Sequence, residues 1–187
     1  MSAAALGTAP VRDLAAATTT ASRAVGPVLA TATAATGLMA GLFFAFDVAV
    51  MPGLAAGDDR TFVTAMQHIN ASILNPVFGA VFVGALALPA VGTWLLHRSG
   101  QRAATLWTAV ATLLYLAALV LTSAVNVPLN DRLAAAGDPA AVTDLAAVRA
   151  AFEPTWTTAN IARTVLCTAA AVALTRALLL HRRPGAR

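Results

Sequence analysis

Three polar side chains recur at helical spacing inside a long apolar stretch near the end of the sequence. Trp156, Asn160 and Arg163 stand at positions i, i+4 and i+7, so a helix places them on one face. A charged side chain inside a membrane-spanning helix costs roughly 2.5–3.5 kcal/mol, and such residues usually face the bundle interior and mark functional sites. This face is therefore the first candidate for a site.

Further polar residues lie near the same end of the predicted helices. Asp47 is about one turn inside the end of the first apolar stretch, and two asparagines flank Pro128 at the end of the third. In an antiparallel bundle these groups meet at one mouth, where apolar walls with a few convergent polar groups are typical of a small-molecule site. The residues expected there are Asp47, Gln67, His68, Asn70, Asn126, Asn130, Trp156, Asn160 and Arg163.

These residues also have a purely structural interpretation. Arg163 would pair with Asp47 to hold two helices together, and the asparagines would form turns around a proline. Trp156 would belong to the aromatic belt of a membrane interface, and His68 would be a solvated histidine. The sequence leaves both interpretations open, and the concentration of these residues at one end favours a site.

The elements that must position these groups are membrane-spanning helices. Of the 187 residues, 59% are hydrophobic and 11% are charged, whereas a soluble domain has about 25% charged residues. A span needs about 20 apolar residues, and the sequence offers four such segments, at 25–50, 76–96, 103–125 and 157–180. We predict an all-α fold, a polytopic four-helix bundle at 25–181, with a poorly ordered tail at 1–24 and a short cytoplasmic tail at 182–187.

The arginines set the expected orientation in the plasma membrane. Seven of the twelve basic residues, all of them arginine, lie before the first span, between the second and third, or after the fourth. The two longer connections carry three arginines against six acidic residues. By the positive-inside rule we expect both termini in the cytoplasm and the polar mouth on the outer side.

The two longer connections have amphipathic patterns of their own. In the first, Asp58 or Asp59 can cap a helix with an apolar face formed by Phe62, Met66, Ile69 and Ile73. In the second, Asp138 is expected to open a helix that ends at Pro154. We predict that these two short helices cover the outer end of the bundle. The two halves of the chain also share an order of span, proline, amphipathic helix and span, as in a parallel repeat.

The pattern disfavours several other functions. The arginines lie at the ends of apolar stretches rather than on one patch, so nucleic acid is not an expected partner. The single cysteine, Cys167, can form no intrachain disulfide, and no cysteine–histidine metal cluster is present in the sequence. His97 and His181 lie at cytoplasmic ends beside arginines, where haem ligation is not expected.

The order of the motifs resembles that of the anthrone oxygenase-like family of small four-helix membrane proteins. The resemblance covers about residues 25–180 and rests on the stretches 41–47, 50–54, 65–70, 75–78 and 126–130, together with Trp156, Asn160, Arg163 and Thr164. It implies a four-helix membrane fold. It also implies oxidation of an anthrone-like or quinol-like aromatic by O₂ without a bound metal or flavin, so no cofactor is expected.

The resemblance suggests roles for the residues at the mouth. The methylene of an anthrone is acidic because its carbanion is a delocalised phenolate, so the reaction needs a base, donors for the oxyanion and a flat apolar slot. His68 is expected as the base, Arg163 and Asn160 as the donors, and Trp156 as the stacking surface. The residues expected to contact the substrate in other ways are Asp47, Gln67, Asn70, Asn126 and Asn130.

A second class of function fits the same residues. A non-catalytic membrane protein that binds a lipid, a hydrophobic small molecule or a partner membrane protein could use the same polar face. In either case the expected partner is a hydrophobic small molecule or a membrane lipid. The sequence predicts neither the oligomeric state nor the substrate.

Overall fold

The computed structural model describes the backbone of residues 9–181 and the side chains of residues 24–181. In this range the chain is helical, without strands. The predicted C-terminal tail lies outside the described residues, as do all side chains of residues 1–23. The first helix begins at Ala9, inside the segment predicted as an N-terminal tail.

Seven α-helices and two π-helical turns follow one another in the described part of the chain. In chain order they are α1 (Ala9–Ala45), the first π-turn (Phe46–Val50), α2 (Met51–Ala55), α3 (Asp59–Ser72), α4 (Pro76–Arg98), α5 (Arg102–Leu121), the second π-turn (Thr122–Asn126), α6 (Val127–Ala135) and α7 (Leu145–Leu180).

Four continuous helical stretches are long and apolar enough to cross a membrane. They are Ala24–Ala55, Pro76–Arg98, Arg102–Ala135 and Leu145–Leu180, with mean hydropathies between 1.5 and 2.0. The prediction of an all-α, multi-pass membrane bundle is thereby confirmed. The first and third stretches are longer than predicted because α1 and α5 continue through the π-turns into α2 and α6.

The four long stretches form a closed ring. Helix α1 packs against α4 and α7, and α5 packs against the same two helices. The helices approach closely because small side chains lie between them, as is usual in lipid. At Gly92 on α4, an added Cβ would lie 3.2 Å from the Leu29 side chain of α1. The ring has an arginine end, at the α4–α5 connection, and a polar end, where α2, α3 and α6 lie.

Helix α3 covers the polar end, as the sequence predicts. The side chain of Asp58 caps it by accepting the Thr61 backbone N–H at 2.7 Å, and this hydrogen bond lowers the pKa of Asp58. Phe62 and Met66 are fully buried. They belong to an apolar cluster that closes this end and consists of Phe46, Met51, Phe62, Val63, Met66, Leu129, Leu133, Phe152 and Trp156.

The second amphipathic segment differs from its prediction. It is not a separate helix ending at Pro154, because α7 runs without interruption from Leu145 to Leu180 with Pro154 inside it. Asp144, not Asp138, caps this helix by accepting the Ala147 N–H at 2.9 Å. A proline removes only one backbone hydrogen bond, and buried side chains on either side of it hold the helix together. The second short helix at the polar end is α6 instead.

Arg149 fixes the beginning of α7 to the connection between α2 and α3. Its guanidinium donates to Glu153 at 2.6 Å, to Asp59 at 3.1 Å and to the carbonyl oxygens of Ala55 and Gly57 at 3.2 Å each. It also lies 4.6 Å from the centre of the Phe62 ring. These contacts stabilise the first turns of α7, so the helix starts well before the apolar part of its sequence.

Candidate functional site

The polar face of α7 points into the bundle. Trp156, Asn160 and Arg163 are 5%, 0% and 5% exposed, so the i, i+4, i+7 spacing does place them on one interior face. They lie in the half of α7 nearest the polar end, opposite α1 and the first π-turn.

Arg163 is a buried cation that forms no ion pair with any residue of the described part of the chain. Its Nη2 donates to the Asn160 Oδ1 at 2.8 Å, and its guanidinium carbon lies 4.3 Å from the centre of the Phe43 ring and 5.3 Å from that of Trp156. Its Nε is buried and has no hydrogen-bond partner among the described residues. Within the described part of the chain no carboxylate lies within 4 Å of it. Cation–π contacts stabilise a positive charge only in part, so Arg163 keeps capacity for an anion.

The sequence left open a direct pair between Arg163 and Asp47, and the structure does not contain one. Asp47 instead accepts hydrogen bonds from the Nδ2 of Asn160 and the hydroxyl of Thr164. Asn160 also donates to the carbonyl oxygen of Phe43 at 2.8 Å. Asn160 therefore stands between the carboxylate and the guanidinium, with its amide nitrogen toward Asp47 and its amide oxygen toward Arg163.

The second π-turn and α6 supply the opposite wall. The indole N–H of Trp156 donates to the Asn130 Oδ1 at 2.9 Å. Asn126 is 1% exposed, and its Nδ2 makes a long contact of 3.4 Å with the carbonyl oxygen of Trp156. The Oδ1 of Asn126 is buried and accepts no hydrogen bond from the part of the chain that the structure describes. Buried amide oxygens are nearly always paired, so this atom is a candidate contact for a ligand.

These groups line one cavity of about 430 Å³ at the polar end, a size usual for small-molecule sites. Most of the wall is aromatic or aliphatic, from Leu42, Phe43, Phe46, Ile69, Ile73, Phe78, Phe82 and Trp156. The polar side chains in the wall are Asn70, Asn75, Thr122, Asn126, Asn130, Asn160 and Arg163. Across the described residues, no three histidine, cysteine, aspartate or glutamate side chains form a group that could hold a metal ion.

A comparison with known protein families decides the assignment. Residues 74–173, more than half of the chain, match the family model described as anthrone oxygenase. The chain belongs to the anthrone oxygenase family. No curated protein and no solved structure was found to match it.

The match to the anthrone oxygenase family begins just before α4 and ends inside α7. It includes part of the cavity wall, with Asn126, Asn130, Trp156, Asn160 and Arg163. The facing residues Phe43 and Phe46 come from the part of the chain before the match. Residues of the first span and of α3 complete the cavity wall. Both elements lie within the part of the chain whose motifs resemble the family, about residues 25–180.

Three residues predicted for the site, Asp47, Gln67 and His68, do not line the cavity. His68 is exposed on α3 and is not part of the cavity wall. Gln67 donates through its Nε2 to the carbonyl oxygens of Leu133 and Gly137, at 2.9 and 3.0 Å. It therefore joins α3 to the end of α6, a structural role. Asp47 contacts the cavity only through Asn160.

The asparagines of the first connection differ in their roles. Asn75 caps α4 by accepting the Phe78 N–H at 3.0 Å, and it also borders the cavity. Asn70 lines the cavity with a buried Nδ2 for which the described residues supply no hydrogen-bond partner.

Several aromatic residues of the wall were not predicted from the sequence. Phe43 lies four residues before Asp47, and Phe78 and Phe82 are four residues apart on α4 with their rings stacked at 5.3 Å. Their spacing on one helix face was a usable signal. This spacing is a weak signal, because large apolar side chains occur on every face of a membrane helix.

Proposed function

We propose that this protein oxidises an anthrone-like aromatic with O₂ in the cavity at its polar end. The observation that carries the proposal is Arg163, a buried cation that faces the cavity and has no carboxylate partner among the described residues. A substrate that becomes an oxyanion during the reaction would supply the negative charge opposite the Arg163 guanidinium. Membership of the anthrone oxygenase family supports the same choice of substrate.

The shape of the wall supports a flat aromatic substrate. Phe43, Phe46 and Trp156 form one group of aromatic rings in the cavity wall, and the stacked rings of Phe78 and Phe82 form a second. Aromatic rings favour offset stacked or edge-to-face contacts with other rings, worth about 0.5–1.5 kcal/mol each beyond burial. The substrate would lie between these rings with its oxygen toward Arg163.

The reaction consumes one O₂ and releases one water for each anthrone. Loss of a proton from the methylene gives a carbanion whose charge rests mainly on the carbonyl oxygen. One electron passes from this anion to O₂, and the two radicals join to form a C–O bond and then a hydroperoxide. Loss of the second methylene proton breaks the O–O bond, so the carbon becomes a carbonyl and the distal oxygen leaves as water. All electrons come from the substrate.

Arg163 would act by making the substrate more acidic. An opposite charge within about 4–6 Å favours an anion and lowers its pKa, so the phenolate form would accumulate near neutral pH. In the described residues no histidine or carboxylate lines the cavity, so we assign the departing proton to water. Asn126, with its free Oδ1, would accept a hydrogen bond from a ring hydroxyl.

Oxygen uptake by the purified protein in lipid nanodiscs tests this proposal. With 1,8-dihydroxyanthrone, the wild type should consume one O₂ for each anthraquinone formed, faster than the spontaneous reaction. Arg163→Met should lower kcat on the order of 100-fold, as the loss of an oxyanion donor does, and Arg163→Lys should fall between. Arg176→Met, which changes an exposed arginine of the same helix, is the matched control.

The outcome separates the two classes of function. Wild-type rates in folded Arg163→Met and Arg163→Lys variants would overturn the role of Arg163. Tight binding of the hydroxylated anthraquinone without any accelerated O₂ uptake would favour the non-catalytic alternative, in which the protein binds a hydrophobic small molecule.

A further inference from the structure

Three of the residues that line the cavity are exposed at the protein surface. These are Leu74, Asn75 and Val127, and the rest of the cavity wall is buried or half-buried. Leu74 and Asn75 immediately precede α4, and Val127 begins α6, which continues α5 beyond the second π-turn. Since α4 and α5 are neighbours in the ring, the opening lies between them, on the side of the bundle.

The surface around this opening is apolar. Leu74 is 82% exposed, Val77 75% and Val127 44%. Farther from the polar end, the same two helices expose Val83 and Val120. Large apolar side chains that are exposed together mark a surface that contacts something other than water. In a multi-pass membrane protein, a rim on the side of the bundle and continuous with its apolar belt faces lipid.

The direct route from water along the bundle axis is closed. Helix α3 lies across the end of the bundle and packs on α2, α6 and α7. Phe62 and Met66 on its inner face are fully buried. The hydrogen bonds of Gln67 to Leu133 and Gly137 hold α3 to the end of α6. A ligand that came from the aqueous side would have to displace this helix.

We propose that ligands enter the cavity sideways from the membrane, through a lateral opening formed by Leu74, Asn75 and Val127. The molecules admitted are flat, hydrophobic compounds dissolved in the bilayer, which concentrates them next to the opening. Leu74 and Val127 set the width of the passage and so select by ligand thickness. This inference rests on the proposed function only in taking the cavity as a ligand site; it does not require that chemistry takes place there.

Rim residues can be modified one at a time, because the native cysteine is buried and can be replaced. In a Cys167→Ala, Trp94→Phe, Trp107→Phe background, Trp156 in the cavity wall is the only tryptophan. Leu74→Cys and Val127→Cys variants are labelled with a bulky maleimide before reconstitution into vesicles. Leu113→Cys is the matched control, since Leu113 is 64% exposed on α5 and does not line the cavity.

The readout is the rate at which 1,8-dihydroxyanthraquinone, already dissolved in acceptor vesicles, quenches Trp156 fluorescence after vesicle fusion. Label at Leu74→Cys or Val127→Cys should slow quenching at least tenfold with little change in final amplitude, and label at Leu113→Cys should not. Quenching at the control rate in both rim variants would overturn the lateral route and leave the proposed function standing. Slowed quenching without O₂ uptake would overturn the oxygenase proposal alone. No quenching in the unlabelled protein would overturn both.

Discussion

At the scale of one residue, Asn126 lowers the stability of the folded protein and offers a hydrogen-bond acceptor to a ligand in the cavity. Its Oδ1 is buried without a donor, and its Nδ2 makes only the 3.4 Å contact with the carbonyl oxygen of Trp156. An unsatisfied buried polar atom costs about 1–3 kcal/mol. A protein that keeps such an atom in a cavity wall loses stability unless a ligand supplies the missing donor.

Replacing Asn126 with leucine should therefore separate stability from binding. We expect Asn126→Leu to unfold at the same temperature as the wild type or higher, because the unpaired oxygen is gone. Its affinity for 1,8-dihydroxyanthraquinone should fall about tenfold, the equivalent of one hydrogen bond of roughly 1.4 kcal/mol. Titration of Trp156 fluorescence measures the affinity, and unsubstituted anthraquinone is the control ligand. Equal loss of affinity for both ligands would show that Asn126 acts through shape alone.

The interior position of the polar residues of α7 could be predicted from the sequence, whereas the predicted position of His68 at the cavity differs from its position in the structure. Polar groups inside an apolar helix must face the interior, so Trp156, Asn160 and Arg163 follow from periodicity. His68 lies on an amphipathic helix, where polar residues face away from the core. It is two positions after the buried Met66, about 200° around the helix, and is exposed. The apolar face of α3 already excluded His68 from the cavity.

At the scale of the elements, the start of α7 shows why connections are hard to predict. Two aspartates, Asp138 and Asp144, precede the segment, and each side chain accepts a backbone N–H, at 2.8 and 2.9 Å. Only the second bond caps a helix; the first closes a turn before it. The sequence pattern is alike at both places. Which of the two aspartates caps the helix depends on Arg149. It contacts α3, which is distant from it in the sequence.

This difference predicts unequal effects of two similar substitutions. Asp144→Ala should lower the free energy of unfolding by about 1 kcal/mol, the usual cost of removing a helix N-cap. Asp138→Ala should change it by less than about 0.5 kcal/mol, as for an exposed position outside a helix. Thermal unfolding in detergent measures both. A larger effect at Asp138 than at Asp144 would mean that the helix begins at the earlier aspartate, as the sequence suggests.

The two π-turns share one cause. Each is followed, one residue later, by a proline at the second position of the next helix, Pro52 or Pro128. A proline has no N–H for the carbonyl four residues before it and its ring crowds that oxygen, so the helix widens locally. In both places the residue before the proline bonds five residues back, from Met51 to Phe46 and from Val127 to Thr122. This likeness supports the predicted repeat of the two halves.

The second π-turn should matter for the position of the site. Pro128→Ala restores the N–H and allows a regular α-helix, which would rotate α6 by about 100° relative to α5. Asn130 would then lose its hydrogen bond with Trp156. We expect unchanged helix content by circular dichroism, a shifted Trp156 emission and about tenfold weaker binding of the anthraquinone. Pro154→Ala, in a helix without a π-turn, is the control; if both variants bind alike, the π-turn does not position the wall.

At the scale of the whole molecule, the cavity exists because the ring of four helices is closed at one end by a short helix. Its walls come from α1, α3, α4, α6, α7 and both π-turns, which belong to separate parts of the chain. The four spans and the polar end follow from hydropathy and from the positions of a few polar residues. The volume of the cavity and its side opening cannot be predicted in this way, because they depend on where α3 lies across the ring and on the widths of two π-turns.

The orientation of the whole molecule decides which leaflet supplies the ligand. Arginines dominate the end of the α4–α5 connection and acidic residues the polar end, so the polar end should be extracytoplasmic. A reporter inserted at Gly137, an exposed turn with φ +79°, should then report the outer side, and a reporter fused after Arg187 the cytoplasm. An insertion at Gly100, in the α4–α5 connection, should agree with the fusion at Arg187. If Gly137 proves cytoplasmic, the lateral opening faces the inner leaflet, and substrate made in the cell would reach Arg163 without crossing the bilayer.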